Sequence, residues 1–331
     1  MATSYYDPET EDEGYLVQDA YGYDDSDMET ISSASTAQTA STITSDEFND
    51  YFREAYGRTY AHDENLPLLY PIDEIEARRH DMQHTFLKAL VHGNYIGPVR
   101  ELLRPRTDGS RPRILDIRTC TGSWAQEMAA EFPHCDIVSI DIAPIIPHVP
   151  RPNITFEIYD LYAGVAEPDE SFDYVSCRHI HLHVKEYDRL IFDLHRVLKP
   201  GGLITICEVE NQMYEAEPPF IKRAYLHVAP AAAKAIDVLR AAITKQGVDL
   251  DAIEHLHEWL QPNSPFWTQT AKKYGFVLLS LTSWKQLEPA LVDYGSSPEE
   301  AHQHAAAAIA TFENMSLPVV AKYHMVYGTK I

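Results

Sequence analysis

The residues most able to do chemistry stand at the ends of short apolar runs. The first group is DIRTCTGSW, Asp116–Trp124, which follows the apolar run RILDI. A loop between a first strand and its helix is where backbone approaches a cofactor, and glycines suit it because they lack a Cβ. Here only Gly122 is glycine; Arg118 and Cys120 stand where further glycines are expected. Asp141 ends the next apolar run, CDIVSID, 25 residues beyond Asp116. A carboxylate there can accept from both hydroxyls of a ribose, or cap a turn before Pro144. Asp160 and Leu161 follow ITFEIY. An acid and an apolar neighbour there can hold an adenine amino group and pack on its ring, or form an ordinary loop.

A second set is histidine-rich. In SFDYVSCRHIHLHVKEY, His179, His181 and His183 alternate with Ile180, Leu182 and Val184. Three imidazoles at period two share one face if the stretch is extended, which invites a metal reading. No carboxylate or cysteine is spaced to complete such a site, and one helical turn would scatter the three. The other readings are a wall or base of an active site, and ordinary packing histidines. Glu208 and Glu210 close the run VLKPGGLITICEVE, where Gly201 and Gly202 turn the chain into a strand. His179, His181 and Glu208 are the candidate general bases.

The elements that must position these groups alternate. RILDI, CDIVSID, ITFEIYD, FDYVSC and LITICEVE read as strands, and GSWAQEMAAEF and KEYDRLIFDLHRVL as helices. This βαβ rhythm predicts an α/β fold, a doubly wound, mostly parallel sheet with helices on both faces. Upstream, SDEFNDYFREAYGR predicts a helix capped by Ser45, with Phe48, Tyr51, Phe52 and Ala55 on one side. A further helix follows Pro71, with an apolar stripe of Ile72, Ile75, Met82, Phe86, Ala89 and Leu90. Downstream, residues 220–247, 251–261 and 297–315 read as helices. FVLLSLTSW and PVVAKYHMVYG read as strands that pair antiparallel at the sheet edge. The expected organisation is a solvated tail over 1–45, a helical cap over 46–110, and a ligand-binding domain over 111–331.

Composition limits the function classes. The 331 residues carry a net charge of −23, and 13 of the 50 acidic residues but no Lys or Arg fall in residues 1–50. That lacks the basic footprint of direct nucleic-acid binding. No apolar run is long enough to span a membrane, and the first residues lack a secretory or transit pattern. The expected compartment is the cytosol or the nucleus. Cys120, Cys135, Cys177 and Cys207 form no CxxC pair and read as small thiols near buried strands, not as disulfides or a zinc site. The Ser/Thr-rich acidic tail reads as solvated chain, or as a docking or phosphorylation segment for a protein partner.

The ordered series from RILDIRTCTGSWAQEMAAEF through SIDIAPIIPHVPRPNITFEIYDLY and SFDYVSCRHI to RVLKPGGLITICE resembles the class I S-adenosylmethionine (SAM)-dependent methyltransferases. Within them it is most similar to the LaeA-like group of filamentous fungi, as is the upstream GRTYAHDENLPLLYPIDEIEARRHDMQH. About half the chain is covered. The resemblance implies a Rossmann-like, seven-stranded sheet with SAM across its carboxyl edge. It implies a contacting set of Asp116, Arg118, Cys120, Gly122, Trp124, Asp141, Ile142, Asp160, Leu161 and Arg178. It also implies a small-molecule methyl acceptor in fungal secondary metabolism, or else a regulator built on the same fold. The helical insert at about 220–265 is left to form the acceptor pocket, since the residues before it are taken up by the cofactor half. Trp259 and Trp267 either line that pocket or, the better reading for most such residues, pack in the core. The family loop reads D-x-G-x-G-x-G, and Arg118 and Cys120 depart from it. Arg118 then either meets the carboxylate of SAM or fills the site by pairing with Asp116 or Asp141. A nicotinamide-dependent oxidoreductase is disfavoured, since no GxGxxG follows the first strand.

Overall fold

The computed structural model describes residues 2–7, 12–18, 40–43, 49–63, 66–67, 70–143, 151–158, 160–217, 220–223, 229–260, 266–278, 287–313 and 319–331. Backbone pairings alone are described for β1 (Ala2–Asp7), β2 (Asp12–Gln18) and β3 (Ala40–Ile43). The solvated tail expected over 1–45 falls on this stretch, most of which lies outside the described residues.

The helix expected over 45–58 is not what forms. Ser45 and Phe48 lie outside the described residues, and beyond a 3₁₀ turn the chain makes a hairpin of β4 (Phe52–Ala55) and β5 (Arg58–Ala61). Tyr56 and Gly57 turn it, both left-handed, with φ of 52° and 69°. Two successive residues of positive φ match the twist of a two-residue hairpin, and that turn outweighs the helical spacing. The helix after Pro71 is α1 (Glu74–Val91), started by Asp73, whose carboxylate accepts from the Ile75 and Glu76 N–H groups. Its buried residues are Glu76, Ala77, His80 and Leu87, whereas Ile75, Met82 and Phe86 are exposed. Of the expected apolar stripe, Ile75, Met82 and Phe86 face outward while Leu90 packs against the Leu87 cluster, and the inward face mixes Ala77 and Leu87 with Glu76 and His80.

Beyond the short α2 (Val99–Leu102), the βαβ series is β6 (Arg113–Ile117), α3 (Ser123–Glu131), β7 (Asp136–Asp141), β8 (Ile154–Ile158), β9 (Phe172–Arg178), α4 (Tyr187–Val197) and β10 (Leu198–Glu217). The short β11 (Phe220–Arg223) pairs back on β10, where a helix is expected. Helices α5 (Pro230–Lys245) and α6 (Ala252–Trp259) follow, then β12 (Trp267–Leu278), α7 (Glu288–Tyr294), α8 (Pro298–Glu313) and β13 (Val319–Lys330). Strand β12 begins nine residues before the FVLLSLTSW run, and residues 279–284 of that run lie outside the described residues.

The seven central strands run β12-β13-β10-β9-β6-β7-β8, parallel except for β13, which is antiparallel to both neighbours; β1 adds antiparallel to β8 and carries β2 and β3 beyond that edge. The order reverses at β6, next to β9, which places a crevice at their carboxyl ends. Alternate residues of each strand feed opposite layers. Leu115, Val138, Val175 and Ile204 pack with Leu190, Leu194 and Leu256 of α4 and α6. Ile114, Ile137, Tyr174 and Leu203 pack with Val99, Trp124 and Met128 of α2 and α3. Between α4 and the body of β10 the Pro-Gly-Gly turn shifts register. Gly201 takes a φ of 77°, and a Cβ on Gly202 would meet the Lys199 carbonyl at 2.8 Å. No helix among the described residues is long and apolar enough to cross a membrane.

Candidate cofactor site

The loop after β6 holds left-handed backbone at three positions, only one of which is glycine. Arg118, Cys120 and Gly122 have φ of 71°, 51° and 72°. The Arg118 and Thr119 N–H groups both donate to the Ile140 carbonyl at 2.9 Å, tying the loop to the end of β7. Below it lies a buried relay. The Thr119 hydroxyl meets the Ser139 hydroxyl at 2.8 Å, and Ser139 donates to Asp116 at 2.8 Å. Asp116 is fully buried and 3.7 Å from Arg178. Burial pushes its carboxyl up to about 6, against the pull of Arg178 and Ser139.

Asp141 stands at the mouth of the crevice. Each carboxylate oxygen accepts one backbone N–H at 2.8 Å, from Cys120 and from Ile142. A carboxylate has about four acceptor positions, so one lone pair on each oxygen remains for a diol. Asp160 starts the turn Leu161–Ala163, its carboxylate accepting from the Tyr162 N–H at 2.7 Å. A cavity of about 460 Å³ runs along this edge, lined by Arg118, Asp141, Ile142, Asp160 and Leu161. It continues past Ile180, His183, Val184 and Leu190 to the outer turns of α4. Asp160 and Asp141, with the aliphatic Leu161 and Ile142 beside them, suit the adenine and ribose of an adenosyl group, while Glu186, Arg189, Asp193 and Arg196 line the α4 side.

The other expected contacts lie elsewhere. Asp116, Cys120, Gly122, Trp124 and Arg178 do not line the cavity. Trp124 is in the core, its indole N–H donating to the Asn94 carbonyl at 2.7 Å, with the Arg178 guanidinium 4.6 Å over its ring. Gly122 caps α3, and burial pushes the Cys120 thiol up to about 12. Arg118 pairs with neither Asp116 nor Asp141. Its guanidinium donates to the His179 carbonyl at 2.5 Å and lies 3.0 Å from His80 Nε2. That imidazole belongs to the inward face of α1, 3.2 Å from Glu76, which Arg79 clamps at 2.7 Å. Helix α1 is held over the loop by Asp81, which accepts from Thr121 and Ser123 at 2.6 and 2.7 Å.

The three candidate bases are also withdrawn from the cavity. A 3₁₀ turn at His181–His183 breaks the extended phase and scatters the imidazoles. His179 Nε2 meets the Tyr323 hydroxyl at 3.2 Å, and His181 Nε2 meets the Asp249 carbonyl at 2.7 Å. Burial holds His179 well below its usual range and His181 at about 4. Glu208 is buried, accepts from the Ile180 N–H and the Tyr187 hydroxyl at 3.0 Å, and is pushed up to about 7 by burial. It ties β10 to the turn after β9. His183, the one histidine of the three not chosen as a candidate, lines the cavity with its ring 5.8 Å from that of Tyr70. Only the phase of the turn reveals it, and alternation in the sequence does not carry that phase. Of the two readings for the tryptophans, core packing is the one seen: Trp267 is buried in the core, and Trp259 packs partly buried against the same cluster.

A family model described as a methyltransferase domain matches residues 84–296. The chain is similar to the secondary metabolism regulator laeA of Coprinopsis cinerea, 28% identical over 65% of this chain and 54% of that protein. It is similar to the methyltransferase pytC of Aspergillus terreus, 28% identical over 58% of this chain and 55% of that one. The chain thus spans about half the length of these curated relatives. Among solved structures, phosphoethanolamine N-methyltransferase 2 of Haemonchus contortus, in complex with S-adenosylhomocysteine, aligns over 86% of this chain and 72% of its own. The identity is 14% and the TM-score 0.43.

Proposed function

The chain belongs to the methyltransferase-domain family, and we propose that it is a SAM-dependent methyltransferase acting on a small molecule in fungal secondary metabolism. The carrying observation is the cavity at the reversal point of the sheet, where Asp160 and Leu161, then Ile142 and Asp141, then Arg118 line one continuous wall. In this reading Asp141 accepts from the ribose hydroxyls, Leu161 and Ile142 pack on the adenine, and Asp160 takes its amino group. The bound cofactor supplies an electrophilic methyl group, so the protein's task is to align a nucleophile and exclude water. Ile180, Val184 and Leu190 form the dry wall. His183, held well below its usual range by burial and by Arg118 and Arg79, is neutral at pH 7. It is placed to accept a hydrogen bond from an acceptor hydroxyl, taking the role that His179, His181 and Glu208 are too enclosed to fill.

A second reading, a regulator that uses the fold without transferring methyl groups, draws on one observation. The Arg118 side chain is anchored on His179 and His80 at the loop end of the cavity. The acidic segment within residues 1–50 would then serve as its docking arm for a protein partner. Calorimetric titration of the full chain with SAM separates the two. The enzyme reading predicts saturable heat and a rise in melting temperature, and no heat or shift at millimolar SAM contradicts it.

A further inference from the structure

The loop end of the cavity presents a cation, Arg118, that forms no ion pair among the described residues, although the Glu76, Asp141 and Glu208 carboxylates lie within its field. Glu76 is clamped by Arg79, Asp116 faces Arg178, and both oxygens of Asp141 accept backbone N–H groups. Arg118 is instead fixed by two neutral acceptors, the His179 carbonyl at 2.5 Å and His80 Nε2 at 3.0 Å. The imidazoles around the cation stay uncharged. His80, His179 and His183 are each held well below their usual range by burial first, and Arg118 and Arg79 add to the effect.

Covalent order sets what meets this cation. If the adenine lies at Asp160 and Leu161 and the ribose at Asp141, the sulfur one carbon beyond the ribose points toward Arg118. SAM carries a positive sulfonium at that atom, whereas its demethylated product carries a neutral thioether, and the two molecules are otherwise alike. Like charges in a partly dry cavity repel strongly enough to separate their affinities about tenfold or more.

We propose that Arg118 makes this cavity select S-adenosylhomocysteine over S-adenosylmethionine, through repulsion between its guanidinium and the sulfonium. The selection rests on the adenosyl reading of the site given above. It makes the loop departure a specificity device.

The test is calorimetry on the full chain with SAM, S-adenosylhomocysteine and 5′-methylthioadenosine, which has a neutral sulfur and no amino-acid end. Wild type, Arg118→Gln and Arg118→Gly are compared. Gln keeps a Cβ and a donor for the His179 carbonyl but no charge, and Gly relieves the left-handed backbone, so at least one variant retains the fold. Wild type is expected to bind S-adenosylhomocysteine about tenfold or more tighter than SAM, and the ratio to fall to within about threefold in both variants. Loss of the charge should strengthen SAM binding and leave S-adenosylhomocysteine and methylthioadenosine nearly unchanged, whereas loss of a clamp on the amino-acid carboxylate would weaken SAM and S-adenosylhomocysteine together. A ratio of SAM to S-adenosylhomocysteine affinity that is unchanged in both variants, or a wild type that prefers SAM, overturns the selection while leaving the adenosyl site standing. Absence of binding by all three ligands in every protein overturns the adenosyl reading itself.

Discussion

At the scale of single residues, the loop shows what it costs to replace glycine. Cys120 is held at a φ of 51°, and a non-glycine residue in that region gives up about 1–2 kcal/mol. Cys120→Gly is therefore expected to raise stability by about 0.5–1 kcal/mol after the flexibility that glycine adds to the unfolded chain. A urea titration that shows a loss instead would contradict this. Glu208 gives a pH signature. Its carboxyl is raised from an ordinary 4.5 to about 7 by burial, so the folded chain keeps a proton that the unfolded chain has released. Its contribution to stability accordingly falls as pH rises from about 4.5 to about 7. Glu208→Gln keeps an oxygen for the Ile180 N–H and the Tyr187 hydroxyl and removes that slope. The variant should gain on wild type between pH 5 and pH 8, by up to about 3 kcal/mol. The buried histidines have the opposite slope but are common to both proteins. An equal difference at both pH values would sink the assignment. The strand-end rule brings Asp141, Asp160 and Leu161 to the cavity directly from sequence, because a parallel sheet fixes where its carboxyl ends lie, and the family resemblance adds Ile142. It carries no information on Arg118 reaching toward α1, or on which histidine a 3₁₀ turn aims inward.

At the scale of elements, α1 departs most from its sequence pattern. Ile75, Met82 and Phe86 recur at helical spacing, which ordinarily marks the buried face. In the fold that face is solvent-exposed, and Glu76 and His80 turn inward because Arg79 and Arg118 are there to receive them. Met82→Gln should change stability by no more than about 0.5 kcal/mol, whereas Leu87→Ala, at 3% exposure, should cost about 2–4 kcal/mol. The reverse order in chemical denaturation would restore the apolar stripe as the packed face. The strands of the central series were legible because their alternate residues are apolar on both faces. The hairpin at 52–61 was not, since Tyr56 supplies no glycine-like signal for its left-handed turn.

At the scale of the whole molecule, seven central strands with one antiparallel member define a methyltransferase sheet, and the crevice follows from the reversal of strand order at β6. The motif series in the sequence carries the same order, which is why fold and cavity were readable together. The acceptor is not carried by that series, because the helices after β10 pack by generic apolar contacts, as in the alanine-rich cluster of α5 with α8. The account stands on Asp141 as the group that holds the cofactor's ribose. The most direct measurement is calorimetric titration of S-adenosylhomocysteine into wild type and Asp141→Asn. The account predicts saturable binding by wild type and a loss of about tenfold or more in the variant, with both proteins melting cooperatively. Equal affinity in the two folded proteins would contradict it.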